Sequence, residues 1–463
     1  MNRTPRRNSV FPGLQRIAQK AKEDPQAQFT SLAHHLTLDL YREAWSRLSK
    51  GSSPGVDGVT ARRYEQNLEE NLRKLQERVK ELDHYRAPPA LRKYIPKEGS
   101  TNASKPAQRP IAIGVTDDKV AQGGVRILLE TIYEQDFLPF SFGFRPGRGP
   151  HDALEALWQI LMQGWVTVVL DVDIQGFYDT MQHPWIMRFV GHRIKDRTIL
   201  RLIGKWLNAG VMENGRIEHP EKGAPQGAVI SPVLSNLYLH HVLDLWADRR
   251  MKPQMKGKMA MIRYADDVVV CFQYQEDAEK LHQALKERLA VFGLTLHPEK
   301  TKLVPFRKTG SERNPEDNDP SAKPPMTTSG TFDVLGFTHY WGRSRQGTPV
   351  VKRKTSGKRL RRFLLRIWQW CKEHRHAPLE EQAQGLSLKL QGHYNYYGLT
   401  HNMLWIKKAY YEVCRAWRFW LKRRSQRGRA RWDWLKRQLA RFRVPTPHLP
   451  RSWLRLSLQG QLF

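Results

Sequence analysis

With 463 residues, 77 Lys and Arg against 45 Asp and Glu, and a formal charge of +32, the chain can bury a large core over two or three domains, and its cationic excess points to a polyanionic partner, nucleic acid first. Cys271, Cys371 and Cys414 show no paired spacing, which excludes a disulfide framework or a cysteine-rich zinc site and suits a reducing, cytoplasmic compartment. No apolar run approaches the ~20 residues of a membrane span, and the basic N-terminus lacks the apolar core of a secretory signal, so no membrane partner is expected.

Residues 1–28 are polar and basic and read as a flexible arm. Apolar spacing from Leu32 to Leu48 suits a helix, broken by Gly51-Ser-Ser-Pro-Gly55. Asp57, in the following turn, is a candidate for orienting the loop or for a plain turn acid. Residues 61–83 read as a charged amphipathic helix. Leu91–Pro96 and Arg109–Gly114 read as two strands of a hairpin around a polar loop. Helices are expected over Asp118–Glu134, His151–Gln163 and residues 185–208, with a Gly/Pro/Arg turn at Ser141–Gly149. In that turn Arg145 and Arg148 either touch phosphate or serve as capping and surface residues. Gly223-Ala-Pro-Gln-Gly-Ala228 breaks the chain before an apolar stretch, and Ser231-Pro232 makes a helix start. Gln275–Phe292 reads as an amphipathic helix, and Arg307–Gly330, rich in Pro, Ser, Asp and Lys, as a mobile loop.

Acids interrupt this pattern at two places. Tyr264-Ala-Asp-Asp267 lies between the apolar runs Met259–Ile262 and Val268–Phe272, which predicts two strands joined by a tight turn with adjacent carboxylates at the tip. Two neighbouring carboxylates repel each other, and a bound hard cation such as Mg²⁺ would offset the repulsion; a solvated turn is the alternative. Upstream, the apolar strand from Val166 runs straight into Asp171 and Asp173, about 90 residues before the tetrad. Folding that joined the two segments would give three acids open to substrate phosphates, as two-metal phosphoryl transfer requires.

The ordered set Gly55-Val-Asp-Gly-Val59, Tyr94-Ile-Pro-Lys97, Arg109-Pro-Ile111, Ser141-Phe-Gly-Phe-Arg-Pro146, Asp173–Asp179, Ala224-Pro-Gln-Gly227, Tyr264–Asp267, Leu294–Lys302 and Val334-Leu-Gly-Phe337 resembles the reverse transcriptases of group II introns, the maturase kind. The resemblance spans roughly residues 50–340. It implies an α+β right-hand polymerase: N-terminal extension and fingers over 29–165, an antiparallel palm sheet with helices over 166–345, and a helical thumb and maturase region over 351–463. It implies RNA-directed DNA synthesis, with a DNA primer, an RNA template, deoxynucleoside triphosphates and two Mg²⁺ ions held by Asp173, Asp266 and Asp267. Arg109 and Lys97 would contact the triphosphate, and Tyr178 would lie under its sugar and exclude a 2′-hydroxyl. Gln226 would lie near the nascent base pair. Lys300 would act on pyrophosphate as a general acid, or serve as a salt bridge or phosphate contact. Leu335, Gly336 and Phe337 would form the primer grip.

From Val351 onward there are 27 Lys and Arg, 5 Asp and Glu and eight of the 15 Trp, a composition suited to phosphate contact with base stacking. Helical spacing is seen over Leu360–Trp370 and Leu404–Lys422, and Gly392–Gly398 resembles a recurring element of the maturase region. The form without an endonuclease domain is expected, in a cytoplasmic or nucleoid-associated ribonucleoprotein, with group II intron RNA as a further partner. Two other roles stay open: chiefly an RNA-binding splicing cofactor, or a free-standing enzyme of DNA repair or defence.

Overall fold

The computed structural model describes residues 11–81, 85–96, 108–308, 329–425 and 430–450. The chain falls into two units, Met1–Leu303 and Val304–Phe463.

The first unit begins with four helices, α1 (Pro12–Glu23), α2 (Leu38–Arg47), α3 (Ala61–Gln66) and α4 (Leu68–Lys80). The hairpin β1 (Ala90–Pro96) and β2 (Gln108–Ile113) follows, then α5 (Thr116–Tyr133) and α6 (Pro150–Met162). Strand β3 (Val168–Val172) leads into α7 (Phe177–Thr180), α8 (His183–Arg193) and α9 (Arg197–Leu207). Short strands β4 (Val211–Glu213) and β5 (Arg216–Glu218) precede α10 (Ser231–Leu239), which widens into π-helical turns at His240–Asp244 and Ala247–Met251. The unit closes with the hairpin β6 (Met259–Tyr264) and β7 (Asp267–Phe272), α11 (Gln275–Val291) and, at its boundary, β8 (Lys302–Pro305).

Two sheets organise this unit. One has the order β2-β1-β4-β5, with β1 antiparallel to β2 and parallel to β4. The other has the order β6-β7-β3-β8, and its centre is apolar because Val168, Leu170, Val268 and Val270 are buried against α10 and α11 side chains in one continuous core. The expected hairpin at 259–272 is present, with Met261 opposite Val270 and Tyr264 opposite Asp267.

Three expectations change for identifiable reasons. The arm over 1–28 contains helix α1, because Ile17 and Ala21 are buried and the Arg193 guanidinium, 1 % exposed, donates to the carbonyls of Ala21, Asp24, Pro25 and Ala27. The single helix expected over 61–83 breaks at Asn67, where the Asn71 side-chain amide donates to the Tyr64 carbonyl and satisfies the end of α3. The single helix expected over 185–208 is two, because the Asp196 carboxylate caps α9 by accepting from the Thr198 and Ile199 amides.

In the second unit, β9 (Phe332–Val334), β10 (Phe337–Arg343) and β11 (Pro349–Thr355) form an antiparallel sheet. Helices α12 (Gly357–Glu373), α13 (Leu379–Tyr397), α14 (Met403–Lys422) and α15 (Trp432–Arg441) surround a separate core containing Ile367, Leu390, Val413, Trp417 and Leu435. Helix α13 was not apparent from the apolar spacing; α12 and α14 were, over slightly shorter spans. No helix among the described residues is long and apolar enough to cross a membrane.

Candidate active site

The site begins at the β6–β7 turn. Only Ala265 and Asp266 separate the paired residues Tyr264 and Asp267, and Ala265 is left-handed at φ 57°. A two-residue hairpin with positive φ at its first position normally takes glycine there, so this alanine is strained. Gly143 lies against the turn so closely that a side chain at 143 would overlap the Ala265 amide. The Ser141–Pro146 turn is therefore a support for the acidic tip. Arg145 has the structural role among its alternatives: it is 6 % exposed, pairs with Glu134 at 3.0 Å and donates to the Leu138 and Ser141 carbonyls. Arg148 likewise donates to the Pro139 and Ser141 carbonyls.

Strand β3 brings the second acidic segment alongside. Val172 pairs with Val268, so the antiparallel register extended by one residue sets Asp173 across from Asp267. The Asp173 backbone is fastened on its other side, where its carbonyl accepts from the His297 amide at 2.8 Å and its amide donates to Thr301 Oγ1 at 3.3 Å. Lys300 Nζ stands 3.3 Å from Asp173 Oδ2.

Electrostatics tie Asp266 to this group. Burial pushes its carboxyl above the ordinary range, and the Asp173 charge adds to the rise, while the Arg109 and Arg263 guanidiniums act against it. Asp173, Asp266 and Arg109 thus share one field although they come from the residue after β3, the β6–β7 turn and β2. Asp267 is exposed at the start of β7.

The Gly223–Ala228 loop joins the remaining candidates. Its Ala224 amide donates to the Tyr178 carbonyl at 2.8 Å, and its Gln226 carbonyl accepts from the Ala112 amide of β2 at 2.7 Å. Gly227, at φ 106°, passes so near β2 that a side chain there would meet the Ala112 carbonyl at 2.9 Å. The loop therefore holds Gln226 beside the strand that carries Arg109. The Tyr178 hydroxyl lies 3.3 Å from Ser235 Oγ of α10, and burial raises its pKa, so it stays protonated.

Lys97 is outside the described residues. Leu335, Gly336 and Phe337 are in the second unit, where Leu335 and Gly336 have φ 48° and 82° and form a tight β9–β10 turn. Tyr396 donates to the Leu335 carbonyl at 2.8 Å, Ser356 donates to the Gly336 carbonyl at 2.9 Å, and Phe337 is buried. Asp57 accepts from the Val59 amide at 3.1 Å, as a turn acid does. Arg263, Asn236 and Asp244 lie behind the acidic turn and were not singled out from the sequence; an arginine inside the apolar strand Met259–Tyr264 was the available signal.

Carboxylate oxygens are hard donors suited to Mg²⁺, and the shared field of Asp173 and Asp266 is what a cation would relieve. Among the described residues no three His, Cys, Asp or Glu side chains stand close enough to enclose a metal alone. Mg²⁺ commonly takes one or two carboxylates and completes its shell with water and substrate phosphates, a demand that Asp173 and Asp266 suit.

Comparison with known proteins agrees with this geometry. The family described as reverse transcriptase (RNA-dependent DNA polymerase) matches residues 95–339. The chain is 32 % identical over 240 residues to the group II intron-encoded protein LtrA of Lactococcus lactis subsp. cremoris, covering 52 % of this chain and 39 % of that protein. It is 31 % identical over 294 residues to protein YkfC of Escherichia coli K12, covering 56 % of this chain and 75 % of that protein. It is also 35 % identical over 159 residues to an uncharacterised 91 kDa protein in the cob intron of Schizosaccharomyces pombe, covering 34 % and 20 %. The mixture of helices and largely antiparallel sheets suits the α+β right-hand polymerase fold, and the match extends across both acidic segments: the chain belongs to the reverse transcriptase (RNA-dependent DNA polymerase) family.

Proposed function

We propose that the chain is an RNA-directed DNA polymerase of the group II intron kind. The observation that carries this reading is the convergence of Asp173, the Asp266 turn, the Arg109 strand and Tyr178 on one place from four separate segments. The reaction is attack of a primer 3′-hydroxyl on the α-phosphate of a deoxynucleoside triphosphate, forming a phosphodiester and releasing pyrophosphate.

Asp173, Asp266 and Asp267 would hold two Mg²⁺ ions. When bound, these acidify the attacking hydroxyl and neutralise charge on the leaving pyrophosphate. Arg109, with Lys97, grips the triphosphate, since a guanidinium bonds phosphate oxygens in pairs. Tyr178 lies under the sugar and leaves no room for a 2′-hydroxyl. Gln226 borders the nascent pair. The Lys300–Asp173 ion pair favours Lys300 as a carboxylate and phosphate contact over a general acid. The Leu335–Phe337 turn holds the primer end, and the hydrogen bonds to its Leu335 and Gly336 carbonyls support that role.

A second reading is an RNA-binding splicing cofactor, and both roles are compatible. It is favoured by the 27 Lys and Arg against 5 Asp and Glu after residue 350. The partner would be group II intron RNA, in a cytoplasmic ribonucleoprotein. Primer extension on an RNA template with deoxynucleotides and Mg²⁺ tests the first reading. Synthesis establishes it. Tight RNA binding without synthesis rejects it in favour of the second.

A further inference from the structure

We infer that Arg263 and Asp244 are positioning residues for nucleotidyl transfer, which set the turn carrying Asp266. The inference rests on the polymerase reading and adds residues that do not touch substrate.

The turn needs an outside hold, because Ala265 is left-handed at φ 57° without being glycine, a conformation that its Cβ disfavours. Arg263 supplies it. Its Nη1 donates both to the Ala265 carbonyl at 3.1 Å and to Asn236 Oδ1 at 3.0 Å. Asn236 Nδ2 in turn donates to the Gly143 carbonyl at 2.7 Å, and Gly143 is the residue pressed against the Ala265 amide. One guanidinium nitrogen thus links the turn to the segment that backs it. The Arg263 main chain is fastened to the same segment, donating to the Phe140 carbonyl at 2.9 Å and accepting from the Phe142 amide at 2.8 Å.

Asp244 aims the guanidinium. Its two oxygens accept from Arg263 Nε at 2.7 Å and Nη2 at 2.5 Å, and both side chains are 0 % exposed. A carboxylate that takes two edges of the fork leaves the third nitrogen only the turn and Asn236 to serve. Asp244 ends the π-helical turn His240–Asp244, whose extra residue per turn rotates it relative to a continuing α-helix. A buried ion pair is a poor device for stability alone, since apolar side chains of similar size serve as well or better. What apolar side chains cannot do is grip the Ala265 carbonyl and the Asn236 amide together.

Two variants separate positioning from folding. Arg263→Lys keeps the charge but loses the fork. The double variant Arg263→Met/Asp244→Leu replaces the pair by apolar bulk. Thermal unfolding, primer–template Kd and steady-state kinetics are measured for the full chain. Mn²⁺ binding is followed by electron paramagnetic resonance on a dideoxy-terminated primer with the next deoxynucleotide. Both variants are expected to bind primer–template as wild type does, with the nucleotide KM within about twofold, while kcat falls at least ~50-fold and Mn²⁺ affinity at least ~5-fold. Should Arg263→Lys fail to fold, the double variant carries the test. Wild-type kcat and Mn²⁺ affinity in the double variant would overturn the inference, as would a kcat loss matched by loss of primer–template binding. Absence of synthesis in wild type, with Mn²⁺ binding still weakened in the variants, would reject the polymerase reading and leave the positioning role standing.

Discussion

Single residues in this chain matter through where the backbone presents them. Asp173 and Asp267 are ordinary strand-end acids until the β3–β7 ladder, whose last pair is Val172 with Val268, brings their strand ends together. Tyr178 is the residue whose role is most easily isolated. It follows β3, its carbonyl is bound by the Gly223–Ala228 loop, and its hydroxyl reaches Ser235, so the ring is held on two sides. A fixed ring under the sugar discriminates by sterics, and removing it should remove discrimination with little loss of deoxynucleotide use. Tyr178→Ala is expected to lower the preference for deoxynucleotides over ribonucleotides by about 10²-fold in kcat/KM, and Tyr178→Phe to retain it. Competition between the two nucleotide classes on one template reads this directly. Equal preference in Tyr178→Ala and wild type would remove Tyr178 from the sugar site. The candidate acids were visible in the sequence because acids beside apolar runs stand out, whereas Tyr178 was singled out by the family resemblance alone. Asp244 and Asn236 were not visible, because nothing local marks a polar residue whose partner lies on a distant strand.

Elements carry the next level. The hairpin at 259–272 and helices α5, α6 and α11 were legible because their apolar periods are clean. The breaks within 61–83 and 185–208 were not, because each depends on one side chain capping a neighbour: Asn71 on the Tyr64 carbonyl and Asp196 on the α9 amides. Helix α5 is held to α9 by a buried polar cluster. Asp118, 5 % exposed, accepts from the Tyr85 hydroxyl, from Trp206 Nε1 at 2.8 Å and from Gln122 Nε2 at 2.8 Å. Gln122 Oε1 then accepts from the Ile230 amide, just beyond the loop that carries Gln226. Burial raises the Asp118 pKa to about 6, against three hydrogen bonds that lower it. The folded state therefore holds a proton between about pH 4 and 6 that the unfolded chain has released, so this group's contribution to stability declines as pH rises through that window. From well below pH 4 to above pH 6 the decline amounts to roughly 3 kcal/mol, most of which falls between pH 4.5 and 7. Urea unfolding at pH 4.5 and pH 7 should show that component in wild type and its absence in Asp118→Asn. An identical pH dependence in both would mean that Asp118 titrates normally.

At the scale of the whole molecule, the candidate acids and most of the cationic charge fall in different units. The acids lie in the first, and the second holds most of the cationic excess on its own helical core. Composition made that division legible, although it did not reveal α13, whose buried face mixes Gln382, Ala383, Tyr394 and His393 with leucines. The 27 Lys and Arg against 5 Asp and Glu after residue 350 leave a large local excess of positive charge, so RNA binding should release many counterions. The log Kd for RNA is expected to change with log salt concentration with a slope of at least about 4, measured by filter binding between 50 and 300 mM KCl. A flat response would exclude phosphate contact as the main source of affinity. The central claim is that binding and chemistry reside in different residues and that Asp266 belongs to the chemistry. The most direct measurement is primer extension on an RNA template by wild type and Asp266→Ala side by side, with RNA affinity measured on the same preparations. Synthesis by wild type, none by Asp266→Ala and equal RNA affinity is the predicted result; synthesis by both, or loss of RNA binding together with synthesis, would contradict it.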